Sequence, residues 1–212
     1  MGSLAQRLAH VRWIAGGTGA GKSTVAGLLA ARTDAVVYDG DRAEHTWNSR
    51  CTARDHPHMV ANARLSRAER ALLSPRERFE RMASRHGESI GFVVEDLLAL
   101  PADRPVLVDW FGVLPHHVCP LLTWPEQAVF LLPTGEFRRR VLGARYADPA
   151  RARANWGGAD TAVAMANRLD RDALLDAEIR EQATDLGLPV VDIDGTRDAE
   201  SVADDLARRF RL

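Results

Sequence analysis

The densest chemistry in the chain lies in the run Gly16-Gly17-Thr18-Gly19-Ala20-Gly21-Lys22-Ser23-Thr24. Gly16, Gly21, Lys22 and Ser23 satisfy the G-x-x-x-x-G-K-[ST] pattern of a phosphate-binding loop. Each residue type has a physical reason. Glycines let the backbone turn so that successive N–H groups point inward at phosphate oxygens. The helix that follows adds the partial positive charge of its N-terminus. Lys22 supplies a mobile full charge for β- and γ-phosphates, and the Ser23 hydroxyl is a ligand for Mg²⁺. Of the 28 basic residues, 27 are arginine, so Lys22 is the sole lysine. A chain that uses arginine everywhere else keeps lysine at the one position where the pattern requires it.

A second acidic constellation follows at Tyr38-Asp39-Gly40-Asp41-Arg42. Here the chain resembles the small-metabolite kinases of the nucleoside-monophosphate-kinase type, among them shikimate, gluconate and adenylylsulfate kinases. In these the phosphate loop is followed by a strand ending in Asp-x-Asp. The resemblance implies that Asp39 is the carboxylate on the Mg²⁺ side and that Asp41 is the base that positions the acceptor hydroxyl. A proton sink within hydrogen-bond reach of that hydroxyl is what such chemistry needs. The plainer alternative is an Asp-Gly turn in which Asp41 caps the next helix.

The run Val106-Leu107-Val108-Asp109 resembles a Walker B strand, with Asp109 in the Mg²⁺ shell. Trp110-Phe111 follows where those kinases often carry small residues, and either reshapes the acceptor pocket or forms a pair of core aromatics. The same resemblance implies a lid that brings arginines onto the transferring phosphoryl group, where charge develops. Of Arg138, Arg139, Arg140, Arg145, Arg151 and Arg153, we place Arg145 and Arg138 first as catalytic. It also implies a turn near Gly195 and Arg197, in Asp192–Arg197, whose backbone contacts adenine; an ordinary turn is the alternative. His56/His58 and His116/His117/Cys119 lack a clean zinc spacing.

These residues must be held by alternating elements. Short, continuously apolar runs at Val11–Ala15, Ala35–Tyr38, Val106–Asp109, Ala128–Leu132 and Val190–Ile193 suit parallel strands covered on both faces. Helices are expected over Ser23–Arg32, from Pro75 through Leu98 as one long element, over about Thr134–Arg145, and over about Asp160–Leu186. The last of these has Val163, Ala166, Leu169, Leu174 and Ala177 as its inner face. A final helix carries Val202, Leu206 and Phe210. Residues 42–74 are polar with weak periodicity, and residues 146–159 read as a mobile connection with Asp148-Pro149 and Gly157-Gly158.

The 212 residues suit one domain, 1–212, with an acceptor-binding insertion at about 42–74 and a lid at about 138–158. Composition is that of a globular protein, with 46% hydrophobic and 27% charged residues. No apolar run approaches the ~18 residues of a membrane span, and no secretory signal is evident. Two cysteines are too few for a disulfide framework and fit the cytoplasm. A net charge of −1 points to neither nucleic acid nor membrane. Segment 42–86 is locally basic, with ten arginines against five carboxylates. It reads as a solvated face, with an anionic acceptor as the alternative. The expectation is therefore an α/β P-loop NTPase fold with a five-stranded parallel sheet, using ATP and Mg²⁺ to phosphorylate a hydroxyl of a small metabolite or antibiotic, as monomer or homodimer. A polynucleotide 5′-kinase and a non-catalytic nucleotide switch are the alternatives.

Overall fold

The computed structural model describes residues 2–212. A short helix α1 (Leu4–Arg7) leads into β1 (Val11–Gly16), α2 (Lys22–Arg32) and β2 (Val36–Asp39). Helices α3 (Gly40–Trp47), α4 (Pro57–Ala63), α5 (Arg67–Leu72), α6 (Pro75–Glu80) and α7 (Ile90–Ala99) precede β3 (Val106–Asp109). Then come α8 (Pro115–Val118), β4 (Ala128–Pro133), α9 (Gly135–Arg145), α10 (Pro149–Trp156), α11 (Thr161–Asp185), β5 (Val190–Ile193) and α12 (Ala199–Phe210). Among the described residues no helix is long and apolar enough to cross a membrane.

The five strands form one all-parallel sheet in the order β2-β3-β1-β4-β5. Parallel pairing demands crossover helices on the faces, which is why β1 and β4 are buried along their whole length. Side chains alternate between two cores. Val11, Trp13 and Ala15 pack with Phe130, Leu175 and Ile179 on one face, and Ile14 packs with Leu131, Leu29 and Leu206 on the other. From β1 the chain runs out to β2 on one side, and from β4 to β5 on the other. The diverging connections leave a crevice at the carboxyl ends of the central strands, where α/β proteins hold ligands. Register places Asp39 beside Asp109 at that edge.

Four expectations need correction. The long helix from Pro75 is broken between α6 and α7, and Gly87 takes a left-handed φ of 72° within the break. The break turns buried Glu88 toward α4, where it accepts hydrogen bonds from the N–H groups of His58 (3.0 Å) and Met59 (2.9 Å). Residues 42–74 are largely helical, in pieces too short to display a period. A capping box between Ser66 and Glu69 starts α5. Residues 146–159 are not an irregular connection, because α10 fills most of them, and its Trp156 is buried against Leu142, Tyr146 and Ala164. Finally, the inward stripe of α11 is Ala164, Asp172, Leu175, Ile179 and Ala183, while Val163 is exposed. The apolar pattern misleads there because charged residues occupy part of the buried face.

Candidate functional site

The glycine-rich loop joins the centre of the sheet to α2. Gly16 has a φ of 109°, and a Cβ there would stand 2.2 Å from the Leu131 carbonyl oxygen. No other residue fits this approach of loop to β4, which the Gly17 N–H secures by donating to Leu131 O at 2.9 Å. Gly21, at φ 82°, turns the chain into the first residue of α2. That residue is Lys22, which is buried. Its Nζ donates to the carbonyl oxygens of Gly16 (3.1 Å) and Gly17 (2.9 Å). The ammonium is thus folded over its own loop, and burial holds its pKa below the usual lysine value. The surrounding carboxylates of Asp109, Asp41, Asp176 and Asp172 act in the opposite sense.

Thr18, Gly19, Gly21, Lys22, Ser23 and Thr24 line a cavity of about 210 Å³ together with Asp41, Asp109, Trp110, Phe111 and three arginines. Ala20 points instead into the core beside α2, and Gly16 and Gly17 lie behind the loop, Gly17 against Arg138 and Asp176. Asp109 ends β3 facing this cavity. Burial raises its pKa, while the neighbouring Ser23 hydroxyl and Lys22 favour its ionised form. Asp41, in the first turn of α3, is likewise raised by burial and opposed by Lys22. Asp39 has a different job, as the N-cap of α3, accepting from the Arg42 N–H at 3.0 Å. The capping role anticipated as the alternative for Asp41 therefore falls to Asp39, and this leaves Asp41 facing the cavity.

Of the two arginines placed first, Arg145 lines the cavity from the end of α9. Arg138 does not project from a lid. It is buried behind the loop, its Nε donating to Thr18 O at 3.0 Å and its Nη2 paired with Asp176. It fixes the loop rather than reaching over it. The turn at Gly195 packs against Phe137 and Arg140, and Arg197 folds back onto α12, donating to Ser201 O at 2.8 Å. Neither residue lines the cavity.

Sequence reasoning missed the contribution of α11. Arg168 and Arg171 line the cavity. Both pair with buried Asp172, Arg171 through Nη2 at 2.6 Å and Arg168 through Nε at 3.6 Å. Asp176, one turn on, pairs with Arg138, yet burial outweighs that guanidinium and pushes its carboxyl up to about 6. The charged spacing Arg168, Asp172, Asp176 was the available signal, since residues four apart share a helix face. Trp110 belongs to the core and also borders the cavity. It is buried edge-on to Trp47, with centroids 5.3 Å apart, and it lines the cavity. Among the described residues no group of three or more His, Cys, Asp or Glu could hold a metal alone. A hard cation would need oxygen donors from Ser23, Asp109 and a bound ligand, which is the arrangement Mg²⁺ favours. No protein-family model matches the chain, and no curated protein matches it either.

Proposed function

We propose that the chain has a P-loop NTPase fold and is an ATP-dependent phosphotransferase that phosphorylates a hydroxyl group of a small molecule. The observation that carries this reading is the convergence of Lys22, Ser23, Asp109 and Asp41 on one cavity at the loop's mouth, whose lining Arg145, Arg168 and Arg171 complete. Loop amides and the N-terminus of α2 favour phosphate oxygens. Lys22 exchanges its two backbone acceptors for the β- and γ-phosphates. Ser23 and Asp109 are the residues that would hold Mg²⁺, which neutralises charge between those phosphates. Asp41 accepts the hydroxyl proton, and its raised pKa keeps it a better base than an exposed carboxylate. An arginine of that lining stabilises the charge on the phosphoryl group.

The test is direct. The protein is incubated with Mg²⁺, ATP and pooled metabolite fractions, and products are sought by mass spectrometry. A metabolite gaining one phosphoryl mass in an ATP-dependent manner is expected. ATP turnover with no acceptor found in any fraction, or no ATP binding at all, would count against the reading.

A further inference from the structure

Beside the loop cavity lies a larger one of about 710 Å³, within the range of ~300–1,000 Å³ usual for small-molecule sites. Arg145 and Arg168 line both, so the two share a wall. The larger cavity is lined by Arg67, Arg70, Arg78, Arg145, Arg151 and Arg168, and no carboxylate lines it. Among the described residues only Arg168 of the six has an acidic partner, Asp172, which it shares with Arg171. A third cavity, of about 510 Å³, adjoins it through Arg67, Arg70 and Arg78 and contains one carboxylate, Glu44, held above its usual pKa by burial.

Arg67, Arg70, Arg145 and Arg151 are exposed at the rim of this space, while Arg78 and Arg168 are half-buried in it. Arg78 comes from α6, Arg67 and Arg70 from α5, Arg145 from α9, Arg151 from α10 and Arg168 from α11, and all point into one space. Nη1 of Arg78 and Nε of Arg168 are buried with no hydrogen-bond partner, as is Nε of neighbouring Arg171. Buried charges are normally paired; Arg168 and Arg171 share the one carboxylate of Asp172, and Arg78 has no ion pair among the described residues. Burial, together with the like charges of Arg171 and Arg168, pushes the Arg78 guanidinium down to about 10. An anion bound in this space would offset the repulsion among Arg78, Arg168 and Arg171 and give their free N–H groups an acceptor.

We propose that this cavity binds a phosphate monoester, and that the phosphoryl acceptor is a small molecule already carrying a phosphate group. Guanidinium matches phosphate in bidentate geometry, and several arginines converge where one lysine would suffice for a single carboxylate. The shared wall at Arg145 and Arg168 lets an ester seated there present a hydroxyl toward Asp41. The identification of the ester as the acceptor rests on the phosphotransferase reading; the existence of the anion site does not.

Calorimetry with glycerol 2-phosphate tests this on the whole protein, with glycerol as the neutral control. The ester binds wild type, and Lys22→Ala changes its affinity by less than about twofold, because the loop is a separate site. Arg70→Gln/Arg78→Met weakens it by about tenfold or more, through loss of charge-assisted hydrogen bonds. Arg70 is exposed, so Arg70→Gln alone, with a smaller loss expected, keeps the test decisive should the double variant not fold. Absence of binding to wild type overturns the proposal. So does binding lost with Lys22→Ala but kept in the arginine variants, or binding of glycerol as tight as that of its phosphate. A short 5′-phosphorylated DNA strand that binds far more tightly than the ester, with a steep salt dependence, would make the surface a nucleic-acid groove instead. Ester binding by a protein that binds no ATP would leave the anion site in place and remove its assignment as the acceptor site.

Discussion

Lys22 is held in reserve by its own loop. Its two hydrogen bonds go to Gly16 O and Gly17 O, acceptors that the proposed triphosphate would replace with charge. If, as proposed, the ammonium serves the β- and γ-phosphates, Lys22→Ala should abolish transfer and weaken ATP more than ADP. Titration calorimetry on both nucleotides decides it, and equal losses would contradict the role. Asp41 carries a second expectation. Asp41→Asn should leave ATP binding intact and cut turnover by about 10²-fold or more, as loss of an acid–base group does. The base must be ionised to accept a proton, so wild-type kcat/KM should fall as pH drops through the pKa of Asp41. Burial raises that pKa above the ordinary 3.8, so the acid limb lies at higher pH than an exposed aspartate would give. Asp41→Asn should lack that limb. If Asp39→Asn is inactive and Asp41→Asn active, the two carboxylates have been assigned in reverse; the cap geometry of Asp39 argues against that.

At the scale of elements, what could be read from sequence depended on whether one force or two shaped the pattern. The strands were legible because burial on both faces keeps β1, β3 and β4 largely apolar, while the half-buried edge strands β2 and β5 are short β-branched runs, and each observed strand lies within a residue of its expected ends. The loop was legible because glycine geometry and lysine chemistry act on the same few residues. Helix α11 was placed correctly but its face was not. Its buried side must both pack on the sheet through Leu175 and Ile179 and present Arg168 and Arg171 to the site, with Asp172 and Asp176 paired to arginines behind them. Helix α10 was missed because one tryptophan, not a stripe, docks it. Trp156 stacks obliquely on Tyr146, with centroids 5.0 Å apart, over Ala71 and Leu142. Removing such a side chain costs about 3–5 kcal/mol in a core. Trp156→Ala should therefore release α10 locally, and hydrogen exchange over 149–156 should accelerate at least about tenfold while the sheet stays protected. Unchanged exchange in 149–156 would show that α10 is held by something other than its tryptophan.

Across the whole molecule the arginines divide into those that hold the fold and those that strain it. Arg12 sits in the central strand, nine-tenths buried, with Nε donating to Phe210 O at 2.8 Å and Nη1 to Ala9 O at 2.8 Å. Its guanidinium lies over Trp124, 4.6 Å from the ring centroid. It ties the last turn of α12 to β1, where backbone carbonyls lack partners of their own. Arg78 has no acidic partner among the described residues, lies near the cations Arg171 and Arg168, and keeps a buried Nη1 unbonded. The two should respond to the same substitution with opposite signs. Arg12→Met leaves the Phe210 and Ala9 carbonyls without their donor, the first of them buried, and should lower stability by about 2–3 kcal/mol. Arg78→Met keeps the side chain's length and removes a repelled, desolvated charge, so it should raise stability by about 1–3 kcal/mol at neutral pH. Urea unfolding of both variants measures this. The gain at Arg78 should vanish in buffer with a saturating phosphate monoester, because the ligand stabilises only the protein that binds it. A stability gained by deleting a residue, and cancelled by a ligand, is what separates a functional arginine from a structural one. If Arg78→Met destabilises the protein in plain buffer as Arg12→Met does, Arg78 is part of the scaffold, and the charge cluster needs no ligand to account for it.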